Sequence, residues 1–396
     1  MSASPSTARA INDRLALRLL QQEGPLTAGR LKELTGLSRP SVADLVDRLT
    51  AAGLIEVVGE SGEQRRGPNA KVYGIVAGRA HLAALDVRTE GVAVAVSDLV
   101  GEVLAEASAP IDGGVGTGPA VEQAVALVER AVKEAGVDRP HTVGIGAPGL
   151  IDPATGELRS STGLPEWHRR LVAALQERLP EARVSVENET NLAAVAEQRD
   201  GAAADRDTFV LLWLGVGVGA AVVLDGVLRR GASGGTGEIG FLPVPGTTGL
   251  PSATGCDGGF HSLAGAAAIA ELAAEHGVTA PEAPGEPHAA TLVRTAAESA
   301  SLAPHGAFLN TLADRLALGA AAVISVLDPG CVVLGGEIGR AGGEELAARV
   351  QDRLLHLSPL PTEVRAGRLG GEAVLRGALL TARDRAQEEL FAPPVR

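Results

Sequence analysis

Aromatic side chains make up only 2% of this 396-residue chain: five Phe, two Trp and one Tyr. A core built on stacked rings is therefore excluded, and the 45% of apolar residues must pack mainly as Ala, Val, Leu and Ile. Cysteine is equally scarce. Cys256 and Cys331 are too few for a disulfide framework or a cysteine-rich zinc site, and they fit a reducing compartment as packing thiols. The opening MSASPSTARA lacks the apolar segment of a signal peptide, and the longest apolar run, Leu316 to Leu327, is too short to span a bilayer. The expected location is the cytoplasm, without a membrane partner. Net positive charge is also missing, since the formal charge is -13. Spread evenly, that charge would exclude nucleic acid. It is not spread evenly: residues 1–78 hold ten Lys+Arg against eight Asp+Glu, while the remainder holds 25 against 40. Only the first segment can approach a phosphate backbone.

That segment has the pattern of three short helices and a wing. Ile11, Leu15, Leu19 and Leu20 recur at helical spacing until Gly24-Pro25 stops the helix. Thr27 caps a second helix with Leu31 and Leu34 inward, and Gly36 closes it. Ser38 caps a third, with Pro40 in its first turn and Val42, Leu45, Val46 and Leu49 as the buried stripe. Leu54–Val58 and Lys71–Val76 read as strands around the polar tip GESGEQRRGPNA. The exposed face of the third helix carries Ser38, Arg39, Ser41, Asp44 and Arg48, groups suited to base edges and phosphates, and Arg65 and Arg66 at the wing tip suit a minor groove. A single exposed arginine is ordinary surface. The constellation is not: it resembles the winged helix-turn-helix of bacterial repressors.

Ala77-Gly78-Arg79 reads as a hinge. Beyond it, His81–Val87, Val92–Val96 and Gly101–Ala107 read as strands, followed by a helix around Val121–Ala135 and a strand over Thr142–Gly146. The style repeats in Leu211–Leu242, where LLWL and AAVVL flank Gly215, Gly217 and Gly219, Asp225-Gly226 makes a turn, and the loop Gly231–Gly237 delivers Glu238. One carboxylate at the end of a loop poor in side chains suits a polyhydroxylated ligand. Two βα lobes with a cleft between them is the expected architecture. TAPEAPGEP, 279–287, reads as a solvated loop, and Pro304–Leu327 as a long helix buried in the second lobe.

Ordered motifs then carry a family resemblance: Gly144-Ile145-Gly146-Ala147-Pro148-Gly149, Leu164-Pro165-Glu166-Trp167, Val186-Glu187-Asn188-Glu189-Thr190-Asn191, Gly237-Glu238-Ile239-Gly240 and Val333-Leu334-Gly335-Gly336. Together they resemble the ROK family of bacterial repressors and sugar kinases, and the ENE of the third motif is similar to the xylose-repressor branch. The resemblance implies an α/β chain with a winged helix-turn-helix at 1–78 and an actin-like, ribonuclease H-like ATPase fold. Its first lobe would cover 79–200 and its second 201–396, with the last helix returning to the first lobe.

Departures from the kinase pattern set the expected function. The family's phosphate loop DxGGT corresponds to Asp86, Val87, Arg88, Thr89 and Glu90: both glycines are gone, and Glu90 is expected to put a negative charge where a phosphate would sit. The Thr of the second phosphate loop is Val216. The kinases' catalytic Asp corresponds to Glu189, whose carboxylate is displaced outward; displacements near 1 Å can cost about a hundredfold in rate, so Glu189 suits gripping a hydroxyl. Asn188 and Glu238 keep the sugar-binding residue types, whereas Phe241 and His261 replace a His and a Glu. Ser252, Thr254 and Gly259 stand where the family's zinc thiolates would be, with Cys256 off those positions, so no metal or other cofactor is expected. The expected protein is a repressor without kinase activity that binds an inverted-repeat DNA operator as a homodimer or homotetramer. Asn188, Glu189, Glu238 and His261 would hold a sugar or related effector. The alternatives are a ROK sugar kinase with a DNA-binding head, and a repressor with a non-sugar effector or none.

Overall fold

The computed structural model describes residues 5–61, 69–112, 114–159, 165–252, 254–283 and 285–392. The wing tip with Arg65 and Arg66, Leu164 of the LPEW motif and Pro284 of the Pro-rich loop lie outside them.

The head contains α1 (Pro5–Glu23), β1 (Leu26–Thr27), α2 (Ala28–Thr35), α3 (Arg39–Ala51), β2 (Ile55–Ser61) and β3 (Ala70–Ile75). Local chemistry sets its helix ends. Thr27 Oγ1 accepts from Arg30 N at 3.2 Å, Gly36 takes φ 70° to close α2, and Ser38 Oγ accepts from Ser41 N at 3.3 Å. The buried stripe of α3 is Val42, Leu45, Val46 and Leu49. The inner face of α1 differs from the expected one. Ile11 is 58% and Leu15 38% exposed, whereas Ala16, Leu17 and Leu20 are buried. The reason is Asp13, which lies on the same face (13, 16, 17, 20) and pairs with Arg48 of α3, so a count of apolar residues alone selects the wrong stripe. The strands form an antiparallel wing in the order β1-β3-β2.

A 3-10 turn at Ala77–Arg79 leads into the first lobe: β4 (His81–Arg88), β5 (Gly91–Asp98), β6 (Val103–Pro110), α4 (Thr117–Glu134), β7 (Thr142–Ala147), α5 (Trp167–Arg178), β8 (Arg183–Asn188) and α6 (Glu189–Asp200). β6 starts two residues later than expected because Asp98 Oδ1 gathers the amides of Val100, Gly101 and Glu102 into a tight turn. The second lobe holds β9 (Phe209–Leu214), β10 (Val218–Leu224), β11 (Val227–Arg229), α7 (His261–Ala264), α8 (Ala266–Glu275), α9 (His288–Glu298), α10 (Ala303–Leu327), β12 (Cys331–Gly335), α11 (Gly336–Leu357) and β13 (Glu363–Ala366).

The two sheets share one plan. Their orders are β6-β5-β4-β7-β8 and β11-β10-β9-β12-β13, each with three antiparallel strands followed by parallel ones. This is the duplicated actin-like architecture that the sequence resemblance implies. In the second lobe the Asp225-Gly226 turn takes left-handed φ values of 55° and 73°, which joins β10 to β11 as a two-residue hairpin. α10 meets the length and composition of a membrane span, but half of its apolar window is buried, with Phe308, Leu309, Leu312, Leu316 and Ile324 in the second-lobe core. Gly319 on this helix leaves room for the ring of Phe260. The last helix, α12 (Ala373–Leu390), packs on β4, β7 and α6 of the first lobe.

Candidate functional site

The cleft's first wall is the end of β8. Asn188 caps α6, its Oδ1 accepting from the amides of Thr190 and Asn191 at 2.9 and 3.3 Å. Its Nδ2 donates to Gly149 O at 3.1 Å and to Glu189 Oε2 at 2.8 Å. Asn188 and Glu189 are thus one hydrogen-bonded unit at a helix start. Burial pushes the Glu189 carboxyl up to about 8; a hydrogen bond from its own backbone amide opposes this, the negative charges of Glu238 and Asp86 add to it, and Arg88 opposes it least. Around neutral pH it is mainly protonated, and can both donate to and accept from a hydroxyl.

The opposing wall is the loop before Glu238. Gly237 takes φ 89°, and any Cβ there would be driven into the carbonyl oxygen of Ala220, whose amide donates to Gly237 O at 2.8 Å. Gly234, at φ 82°, fits equally closely against Ile151 of the first lobe. Glu238 is open to solvent yet walled in by the cleft, and burial pushes its carboxyl up. It precedes a 3-10 turn, Ile239–Phe241, that leaves Phe241 39% exposed. His261 opens α7 beside Gly240, with its ring turned over Gly265. Among the described residues no hydrogen bond joins His261 to Asn188, Glu189 or Glu238.

Where the family resemblance sets a nucleotide, the cleft is filled by charged side chains of the chain itself. Arg88 donates Nε to Asp86 Oδ2 at 2.8 Å, Nη1 to Glu337 Oε1 at 2.7 Å and Nη2 to Gly371 O at 2.6 Å. The Glu337 carboxylate also lies over Gly215 of the second glycine loop. Burial opposes the charge on Arg88, but Asp86 and Glu337 together outweigh it and raise its pKa. For Asp86 burial wins over Arg88, so its pKa is raised. His168 is buried and neutral, since burial lowers its pKa, and its Nε2 donates to Arg88 O at 3.2 Å. Glu90, expected to reach this position, is instead exposed in the β4–β5 turn. Side chains alternate along a strand, so Asp86 and Arg88 share the inward face and Glu90 lies beyond it. That alternation was the available signal for Arg88. Its partner Glu337, 249 residues away, has none.

In the loop that departs from the zinc pattern, Ser252 and Gly255 form an isolated bridge, and the Ser252 and Thr254 hydroxyls stand 3.4 Å apart. Burial pushes the Cys256 thiol up, with Asp257 and Glu238 adding to it. Among the described residues no group of three or more His, Cys, Asp or Glu side chains is placed to hold a metal ion.

On the head, Ser38, Arg39 and Ser41 are exposed at the start of α3, with the two serine hydroxyls 2.8 Å apart. Arg39 forms no ion pair among the described residues. Arg48 is turned differently: it pairs with Asp13 of α1 at 2.6 Å and with Asp44, which spends its charge on packing α3 against α1.

Comparison with known proteins fits both halves of this arrangement. The model of the MarR family matches residues 11–67, and that of the ROK family matches residues 82–385. A Caldicellulosiruptor sp. (strain Rt8B.4) protein provisionally named a xylose repressor is 22% identical over 94% of this chain and 95% of its own length. The glucokinase of Thermotoga maritima is 31% identical over 52% of this chain and 67% of its own. A crystal structure of a ROK family transcriptional regulator, a homologue of the E. coli MLC protein, superposes with a TM-score of 0.76 at 22% identity, covering 97% of this chain and 98% of that one. With a match that spans both sheets and the elements bearing Asn188, Glu189, Glu238 and Arg88, this chain belongs to the ROK family.

Proposed function

We propose that this protein is a cytoplasmic transcriptional repressor that binds an inverted-repeat operator as a homodimer or homotetramer and is controlled by a neutral sugar or related polyol. The observation that carries this reading is the coexistence, on one chain, of Arg39 at the exposed start of α3, without an ion-pair partner among the described residues, and a cleft that keeps Asn188, Glu189 and Glu238. In it Ser38, Arg39, Ser41 and the wing pair Arg65-Arg66 contact DNA, while Arg48 positions α3. Two carboxyl groups and an amide offer donors and acceptors to vicinal hydroxyls, Phe241 offers an apolar face, and His261 borders the site. A sugar phosphate fits less well beside two carboxyl groups.

Likeness to a glucokinase supports a second reading, a sugar kinase with a DNA-binding head. Against it stands the Arg88–Glu337 pair between the glycine-free segment Asp86–Glu90 and Gly215, where a phosphate would need the room. The expected turnover with ATP and sugars is below about 1 s⁻¹, the low end for ordinary enzymes.

The test has two steps. A thermal-shift screen over sugars, amino sugars and sugar phosphates identifies the ligand, and operator affinity is then measured with and without it for wild type and Glu238→Gln. Loss of the ligand response in the variant, with ligand-free affinity retained, is the expected result. Equal responses would remove Glu238 from the site.

A further inference from the structure

We propose that Arg88 and Glu337 form a built-in latch that joins the two lobes in place of a nucleotide, and that its state is passed along α12 to the DNA-binding head. Three observations carry this. Arg88 ends β4 in the first lobe and Glu337 begins α11 in the second, so their 2.7 Å contact crosses the cleft. The pair is supported from several sides, with Glu337 buried and Arg88 partly open to solvent: Asp86 shares the guanidinium, His168 holds the Arg88 carbonyl, and Gly215 and Gly371 lie against the Glu337 carboxylate. A freely solvated surface pair would have none of this support.

The third observation concerns what the latch touches. Arg88 Nη2 also donates to Gly371 O at 2.6 Å, and Gly371 lies in the 3-10 turn, Gly370–Glu372, that runs directly into α12. Toward the far end of that helix, about 21 Å from its start at 1.5 Å per residue, Gln387 Nε2 donates to Gln21 Oε1 of α1 at 2.6 Å and to Leu99 O of the first lobe at 3.0 Å. One rigid element therefore contacts the latch at its start and the head at its end. A change in lobe closure that moves Gly371 moves the support on which α1 rests.

Glu337→Leu is the primary test, because it leaves Arg88 paired with Asp86. Arg88→Gln is the second variant. Hydrogen exchange should accelerate at Gly370–Val374 and in α1 around Gln21. Ligand-free operator affinity should change at least fivefold. In a Gln387→Leu background the same substitution should change operator affinity less than twofold, because the route is already cut. The exchange result does not depend on the repressor reading, whereas the affinity result does, so absence of operator binding in the wild type would overturn that reading and leave the exchange test standing. Exchange unchanged at both ends would overturn the latch. Acceleration confined to Gly370–Val374, or an equal affinity change with and without Gln387, would overturn transmission through α12.

Discussion

Arg230 of the second lobe donates Nε to Glu187 Oε2 of the first at 2.6 Å, and Glu187 is only 7% exposed. The other Glu187 oxygen accepts from Asn188 N and Asn191 Nδ2, both at 3.0 Å. The loop that delivers Glu238 is thereby tied to the strand end that delivers Asn188. Arg230→Met leaves a buried carboxylate without its cation, so a loss on the order of 1–3 kcal/mol is expected. Glu187→Gln added to it should recover much of that loss, since an amide needs no counter-charge. Thermal melts of wild type and the two variants check this; an Arg230→Met protein melting within about 1 °C of wild type would show that solvent replaces the arginine at no cost.

Two glycines with similar left-handed backbones separate conformational strain from close approach. Gly237→Ala should cost roughly 2 kcal/mol or more and remove the ligand response, because the new methyl meets the Ala220 carbonyl and Glu238 must shift. Gly277, at φ 68° with nothing within 4 Å, should cost only about 1 kcal/mol. Denaturant unfolding of both variants compares them directly. Equal losses would mean that the loop gives way without moving the Ala220 strand.

Glu189 predicts a pH dependence. Its folded pKa of about 8 lies above the unfolded carboxylate value, so between the two the folded state holds a proton that the unfolded state has released. Stability from this group is complete below the unfolded pKa and is lost as pH rises toward about 8. Glu189→Gln keeps the neutral form at every pH. Its stability relative to wild type should therefore grow from pH 5 to pH 8 by about 1 kcal/mol, or roughly 2–4 °C, after allowing for water in the cleft. A difference between the two proteins that stays flat across that range would mean Glu189 is ionised in the folded state.

Three changes on the head should act differently on DNA. Arg39→Ala should relax sequence preference, and Arg65→Ala/Arg66→Ala should weaken all sequences and lower the salt slope by about 2. Arg48→Ala should lower the melting temperature through loss of its contact with Asp13, and weaken binding without changing preference. Competition against a randomised operator pool at two salt concentrations distinguishes them. If the wing pair leaves both affinity and slope unchanged, the wing does not touch DNA.

Legibility followed distance along the chain. Caps at Thr27, Gly36 and Ser38 are local hydrogen bonds among neighbours, and the sequence pattern located them. The inner face of α1 does not follow its apolar spacing, because its partner contact, Asp13 with Arg48, is polar and crosses 35 residues. In the cleft, Asn188 and Glu189 are adjacent, and Glu238 follows a loop whose glycines announce close packing. The Arg88–Glu337 and Arg230–Glu187 pairs left no such trace, because each depends on two lobes meeting after both have formed.

The contact of α12 with the head also has a consequence for synthesis. The head emerges from the ribosome first and has its own helices, caps and wing, so it can fold early. Gln387, which joins it to the body, is made more than 300 residues later. At about 5–20 residues per second the head spends tens of seconds as a folded domain on an unfinished tether, free to meet DNA before any cleft exists to govern it. Completion of α12 is the event that brings the head under the control of the body.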